Sequence, residues 1–380
     1  TTEIYTLSLH DALPISKTDH RRRGIEGAMT TESLLRNHWY AAARSEEITP
    51  DAPFARTMLD EPIVLFRSKD GSIAALQDRC PHRKAPLSMG RMVDGEIQCN
   101  YHGAKFGGDG VCSLIPSQEG KLISGFAARP YPVTEAHGMI FVWIGEAEKA
   151  DLDLVPDMGA YGPNAGTGVV GGYMYIKANY LLLVDNLLDL THIAYLHEST
   201  LGATGAEALL AGEMEFEVTG DNIRTVRIVR DQVQTFFAKK TGKFEGQGNL
   251  DRFTITNFWA PSYLELQLCN APSSEHMPMC DVPHHRVHHC ITPESDGAVH
   301  YYWTMAWYHR PDDADLAKEF HTVTKLAFDE DLPMLEAQQR NIESDPEQSP
   351  LVNFEGDKAG VAARKIVTKL LAGETSRAAE

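Results

Sequence analysis

Two short clusters carry the residue types of a metal centre. Cys80-Pro81-His82 is followed, sixteen residues later, by Cys99-Asn100-Tyr101-His102. Two thiolates and two imidazoles form the ligand set of a [2Fe–2S] centre with two histidines on one iron and two cysteines on the other. Replacing two anionic thiolates by neutral imidazoles raises the potential above that of an all-cysteine cluster. Such a centre can accept electrons from a plant-type ferredoxin domain. The rival is a structural zinc site, but zinc fingers pair cysteine with cysteine and histidine with histidine. Here each cluster mixes the two types, so the iron–sulfur reading prevails.

A second constellation lies at Asn186, Asp189, His192 and His197. At about 100° per residue, Asn186, Asp189 and His192 share one face of a helix. His192 and His197 are five residues apart, about 140° around that helix, so both reach one metal only if the helix ends or loosens between them. Two imidazoles and one carboxylate on one face of Fe(II) leave positions open for O2 and substrate. A lone histidine here would read as an ordinary core or capping residue. The flanking amide and acid, in a chain that already carries the first motif, favour the metal.

The elements that position these residues fall into two groups. Between residues 37 and 146, short apolar runs (63–66, 73–76 and 139–144) are separated by Gly, Pro and Asp, with Asp70-Gly71 as a hairpin turn and 107–110 as another tight turn. This is the pattern of a small all-β domain. Residues 147–168, rich in Asp, Pro and Gly, read as a linker. A helical stretch over 179–197 follows. Strand-like segments then run over 224–229, 253–259, 264–268, 287–292 and 299–307. A helix over 313–342, kinked or restarted at Pro333, closes the pattern. Strands grouped together and flanked by helices indicate an α+β fold, an all-β domain followed by an antiparallel-sheet domain over 169–375.

Composition narrows the classes. Of 380 residues, 43% are hydrophobic and 23% charged, the balance of a globular protein, and no apolar run approaches the roughly 20 residues that span a bilayer. A net charge of −18, from 53 acidic and 35 basic residues, argues against a nucleic-acid partner, whose backbone demands clustered Lys and Arg. Six cysteines are too sparse for a disulfide scaffold and fit a reducing, cytoplasmic compartment. Residues 1–28 show no settled periodicity, and 7–16 resemble translated adapter sequence, which makes Met29 the expected start and 1–28 extraneous.

Asn37-His38-Trp39-Tyr40, Cys80-Pro81-His82-Arg83, Cys99 to His102 with Gly103, and the run from Asn186 to His197 together resemble the Rieske non-haem iron oxygenases. Within that family the chain is similar to the vanillate and dicamba O-demethylase type. Ala104 departs from the larger residue many members carry there, and Cys112 matches a position that is not a ligand. The resemblance implies a [2Fe–2S] cluster on Cys80, His82, Cys99 and His102, and a mononuclear Fe(II) on His192, His197 and an acid of the C-terminal helix. In Phe328-Asp329-Glu330-Asp331 that acid matches Asp331, with Asp329 as the runner-up. Asp189 would join a histidine of the iron site to a cluster histidine of the next subunit, in a head-to-tail ring, a trimer. Asn186 would be a buried amide or lie on the iron's open side.

If 285–291 is a strand, His285, Val287, His289 and Ile291 share one face, with His284, Arg286 and His288 opposite. His289 matches a substrate-contacting histidine of dicamba-demethylase-like members, although a half-buried strand histidine explains it equally well. Trp259, Tyr302 and Trp303 are further candidates for the same cavity.

The chain shows no convincing G-x-G-x-x-G motif, so electrons from NADH would arrive through a separate flavin and iron–sulfur reductase. The expected activity is oxygenation of a small aromatic substrate with O2, with O-demethylation of a methoxylated aromatic acid foremost. Ring-hydroxylating dioxygenation is the alternative. A non-catalytic electron carrier or a zinc-stabilised binding module would leave the 186–197 constellation unexplained.

Overall fold

The computed structural model describes residues 34–378 except 120, 162–164, 202–209, 276, 279–282 and 346–348. The expectations for residues 1–28 and for Met29 lie outside the described residues.

The N-terminal half is built of short strands, as its punctuated apolar runs predict. In chain order these are β1 (His38–Arg44), β2 (Phe54–Met58), β3 (Glu61–Arg67), β4 (Ile73–Gln77), β5 (Arg91–Val93), β6 (Glu96–Gln98), β7 (Lys105–Phe106), β8 (Cys112–Leu114), β9 (Val133–Ala136) and β10 (Met139–Ile144). They form three antiparallel sheets, ordered β1-β10-β9, β2-β3-β4 and β5-β6-β7-β8. Strands β1 and β10 pair from His38 opposite Ile144, so the first and last strands of this half close on each other.

The C-terminal half centres on one seven-stranded antiparallel sheet. Its elements are β11 (Gly168–Ile176), α1 (Tyr180–Leu188), β12 (Glu213–Thr219), β13 (Asn222–Gln232), α2 (Phe236–Thr241), β14 (Leu250–Trp259), β15 (Tyr263–Pro272), β16 (His285–Ser295), β17 (Ala298–Trp307), α3 (Ala314–Ser344) and α4 (Lys358–Ala378). The strand order is β11-β17-β16-β15-β14-β13-β12, a meander with β11 added beside β17. At its far edge β12 is largely exposed and alternates Glu213, Glu215 and Glu217, charges that discourage pairing with another chain.

Every residue of β17 is buried, which requires cover on both faces. On one face Tyr263, Cys290 and Tyr302 pack with Trp39, Phe141 and Trp143 of the N-terminal half. Tyr302 donates its hydroxyl hydrogen to the Ala42 carbonyl at 2.6 Å, and Thr292 donates to that of Ala41 at 2.7 Å. On the other face Val287, Met305 and Trp307 pack with Leu316 and Phe320 of α3. The central strands are therefore both the floor of one half and the docking surface of the other.

The two site-bearing helices differ from expectation in instructive ways. Asn179 caps α1, its side-chain oxygen accepting from the Leu181 N–H, an interaction typically worth ~1 kcal/mol. The predicted helix over 179–197 does not run through. It stops at Leu188, Asp189 is extended (φ −105°, ψ 99°), and a tighter 3-10 turn covers Leu190–Ala194. Asn186, Asp189 and His192 thus do not lie along one continuous helix face. In contrast α3 is continuous from Ala314 to Ser344 with Pro333 inside it, capped by Asp313.

Candidate metal centres and active-site pocket

The cluster residues sit on two loops with the same backbone wiring. Cys80 N–H donates to the Ala85 carbonyl and Lys84 N–H to the Cys80 carbonyl. Cys99 N–H donates to Ala104 and Gly103 N–H to Cys99 in the corresponding positions. The fourth residue after each cysteine takes a positive φ, Lys84 at 62° and Gly103 at 78°. A side chain at Gly103 would also crowd Pro116 at 3.0 Å. Both thiols are buried and both imidazoles exposed, with His82 Nδ1 and His102 Nδ1 facing each other at 3.2 Å. Two inward sulfurs and two outward nitrogens, each pair drawn from both loops, fit a mixed-ligand [2Fe–2S] cluster. Ala104 is buried in the core beneath these loops, so the smaller side chain there is accommodated by packing. Cys112 belongs to that same core.

The second constellation is assembled from α3 and the broken end of α1. His192, His197 and Asp331 offer ligand atoms that all lie within 4.8 Å of one another. His197 Nε2 is 3.3 Å and His192 Nε2 3.7 Å from Asp331 Oδ1. The break after Leu188 and the tight turn to Ala194 are what let histidines five residues apart converge.

Each imidazole is held by its other nitrogen. His192 Nδ1 is 2.6 Å from the Asp189 carbonyl, and His197 Nδ1 is 2.7 Å from Glu330 Oε2. These contacts require Nδ1–H in both rings, which leaves Nε2 as the lone-pair donor aimed inward. Burial lowers the pKa of His192 and favours its neutral form. Burial acts in the same sense on His197, but its contacts with Asp331 and Glu330 outweigh that and hold its pKa above the usual value.

Asp331 is buried in the middle of α3, whereas Asp329, the runner-up, is on the outer side and paired with Lys325 at 2.6 Å. Asn186 donates from Nδ2 to Asp331 Oδ1 at 2.9 Å, while its Oδ1 is buried without a partner and borders the cavity. Asp189 behaves differently from the reading that joined its carboxylate to the iron-site histidine. The main-chain carbonyl holds His192, and the carboxylate caps the 3-10 turn, accepting from Thr191 N–H and Oγ1–H at 2.9 Å each. Gly356 packs against that carboxylate so closely that a Cβ there would lie 2.8 Å from Oδ2.

A cavity of about 100 Å³ adjoins the three ligand atoms. That is on the scale of the ~150 Å³ apolar cavity that takes one benzene ring. The sheet forms its floor, through Arg252 and Thr254 of β14, Leu266, Leu268 and Asn270 of β15, His285, Val287 and His289 of β16, and Met305 of β17. Within each strand these alternate, so all project from one face. The expected face shared by His285, Val287 and His289 is therefore observed. The roof comes from the α1 end, α2 and α3, which also supply every ligand atom.

His289 is fully buried, with Nδ1 2.7 Å from the Tyr301 hydroxyl and Nε2 unpartnered. Burial pushes its pKa down to about 3, so it presents a neutral ring. Trp259, Tyr302 and Trp303 do not line the cavity. Tyr302 faces the N-terminal half, Trp259 is exposed, and Trp303 packs on Phe328 and His321.

Two positions at the site, Glu330 beside His197 and Arg252 on the cavity wall, escaped the sequence reading. Glu330 adjoins Asp331 and could have been found by asking which neighbours on that helix turn also face the 186–197 segment. Arg252 carried no local signal, since an arginine in a strand reads as a solvent-facing residue.

Residues 38–132 match the Rieske [2Fe-2S] domain and residues 176–373 match the vanillate O-demethylase oxygenase C-terminal domain. A vanillate O-demethylase oxygenase subunit from a Pseudomonas strain is 34% identical, across 90% of this chain and 96% of that protein. The iron-sulfur subunit of a toluene-4-sulfonate monooxygenase system from Comamonas testosteroni is 33% identical, across 90% and 98%. The crystal structure of dicamba monooxygenase bound to 3,6-dichlorosalicylic acid superposes with a TM-score of 0.82 at 31% identity, covering 90% of this chain and 99% of that one. With a paired Cys/His loop set, a convergent His/His/Asp set and both domain matches, the chain belongs to the Rieske non-haem iron oxygenases, as an oxygenase component of the vanillate O-demethylase type.

Proposed function

We propose that this oxygenase is a monooxygenase that removes the methyl group of a methoxylated aromatic acid. The observation that carries the reading is a ring-sized cavity, apolar over most of its wall, into which two Nε2 atoms and one carboxylate oxygen converge. Cys80, His82, Cys99 and His102 would hold the cluster, and His192, His197 and Asp331 the mononuclear iron. The bound iron supplies O2 activation beside the substrate. Balanced over the reaction, ArOCH3, O2, NADH and a proton give ArOH, formaldehyde, water and NAD+. The methyl carbon gains a hydroxyl, and the resulting hemiacetal loses formaldehyde.

The residues of the chain determine where that chemistry falls. Leu190, Ile193, Leu266 and Phe328 pack around the ring and exclude water. Asn186 and Glu330 fix Asp331 and His197 by hydrogen bonds. His289 offers a neutral nitrogen to a substrate oxygen. Positioning decides the product, because a ring carbon held where the methyl group belongs would be attacked instead.

Electrons would come from a separate NADH-dependent flavin and iron–sulfur reductase, since the vanillate and dicamba relatives are named as oxygenase subunits or components. The domain limits follow as 37–146 for the cluster domain, 147–168 for the linker and 169–375 for the catalytic domain. The exposure of His82 and His102 suits transfer to the iron site of a neighbouring subunit across Asp189, in a cytoplasmic homotrimer. Among the described residues no helix is long and apolar enough to cross a membrane.

The test supplies NADH, a compatible reductase and a panel of methoxybenzoates. Formaldehyde from at least one member is the expected result. A cis-dihydrodiol or ring-hydroxylated product, with no formaldehyde from any member, would replace demethylation by dioxygenation or ring hydroxylation.

A further inference from the structure

Buried polar atoms without partners are rare in a folded protein, and each one calls for an explanation. Twelve such side-chain atoms occur among the described residues, and four belong to residues lining this cavity, Asn186, Arg252, His285 and His289. Arg252 is the one arginine among these four. Its Nη1 is shut off from water with no hydrogen-bond partner, and among the described residues no carboxylate forms an ion pair with the side chain. The residue as a whole is partly accessible, and it lines the cavity. Dense surroundings push its pKa down to about 10, so it keeps its charge at neutral pH. An unpaired charge held out of water strongly disfavours folding unless a ligand compensates it.

The position of Arg252 on the floor separates it from His289. Arg252 stands opposite Asn270 of β15, whereas His289 stands opposite Leu264, six residues away along that strand. At ~3.4 Å per residue this is roughly 20 Å of strand, so one small arene cannot have the same group on both. On its other side Arg252 pairs with Val229, which packs with Leu190 and Ile193 of the turn that carries His192. Arg252 thus lies on the strand next to the one that packs under the turn carrying His192, with Asn270 as its register partner on β15.

We propose that Arg252 is the anion receptor of this pocket and selects arenes bearing a carboxylate or sulfonate. The proposal rests on the aromatic-acid reading above and assigns its charge recognition to one residue. A planar fork of N–H donors matches the oxygens of either anion. His289, being neutral, supplies no charge to that recognition. Vanillate and toluene-4-sulfonate, named for two relatives, are an aryl carboxylate and an aryl sulfonate.

The test measures binding to the holoprotein by titration calorimetry, with 4-methoxybenzoate and toluene-4-sulfonate set against their neutral amides, 4-methoxybenzamide and toluene-4-sulfonamide. Wild type should bind at least one anion about 10- to 100-fold more tightly than its amide, the range of a charged hydrogen bond. The preferred anion shows whether carboxylate or sulfonate is the natural group. Arg252→Gln should abolish that preference while amide affinity stays within about twofold, and Arg252→Lys should restore part of it. Because the replacement removes an uncompensated buried charge, Arg252→Gln should melt no lower than wild type. Equal losses for anion and amide with a lowered melting temperature would make Arg252 a structural residue and overturn the proposal. So would a wild type that binds both amides as tightly as both anions. Formaldehyde release is scored separately: anion selectivity without formaldehyde overturns the demethylase reading alone, and formaldehyde without anion selectivity overturns the receptor alone.

Discussion

The two ligand sets of this chain solve opposite problems. At the cluster loops, the sulfur donors are buried while His82 and His102 stand exposed at the surface. In the catalytic half His197 and Asp331 are almost fully buried, and the open side faces a mainly apolar cavity. The first set is held by backbone hydrogen bonds of two similar loops, the second by side-chain contacts from Glu330, Asn186 and the Asp189 carbonyl. An electron relay has to present an edge to its partners, whereas a site that activates O2 has to exclude water until substrate is in place. Burial is therefore distributed within each ligand set according to what must approach it.

Substitutions break this comparison on one side at a time. The largest change is expected from Cys80→Ala or Cys99→Ala, which should abolish the visible cluster spectrum and reduce three irons per chain to at most one, with acid-labile sulfide lost. Zinc instead of iron in the wild type, without sulfide, would refute the cluster. Next comes Asp331→Ala, which should keep the cluster spectrum, lose one iron of three and stop turnover; full iron and full turnover would mean that another carboxylate is the ligand. Asp189→Asn should retain all three irons yet lose coupled turnover, because an uncharged amide cannot give the charge-assisted hydrogen bond that the carboxylate would offer a cluster histidine of the neighbouring subunit. Normal coupling in that variant would remove Asp189 from the electron route.

Glu330→Gln tests the orientation of His197 and should lower metal affinity or turnover by about 10- to 100-fold, the usual effect of losing such a partner. An unchanged iron content and rate would show that Glu330 only buttresses the helix. The smallest effect belongs to Asp329→Asn. Its pairing with Lys325 is an exposed i,i+4 contact, worth ~0.3–0.5 kcal/mol. Iron content, spectrum and turnover should all stay at wild-type levels, and loss of iron here would reverse the choice between the two acids.

Much of this was legible in the sequence because short-range spacing carried it. Cys80 to His82 and Cys99 to His102 each occupy one loop, and ligand type alone identified their chemistry. The condition that the chain must loosen between His192 and His197 was also readable, since five residues overshoot one helical turn. The break came earlier than the apolar pattern implied, at Asp189, because this side chain caps the next turn better than it continues the helix. Pro333 suggested a kink or restart in the last helix, but the helix continues through it. Long-range partners were the hardest to see. Nothing near Arg252 in the chain shows that β13 and β15 flank it and that it lines the cavity, and Glu330 gains meaning only when α3 lies against Thr200 and His197.

The separation of roof from floor has an evolutionary consequence. All three candidate ligand atoms come from the helical side, whereas the sheet supplies side chains that line the cavity. A change at Asn270, Val287 or Met305 alters the shape or polarity offered to an arene while the backbone that spaces the ligand atoms is left as it was. If those strand positions meet the arene, drift on them would diversify the accepted molecules while the candidate ligand set is kept. One scaffold of this kind is open to new arenes through single-residue steps on the sheet.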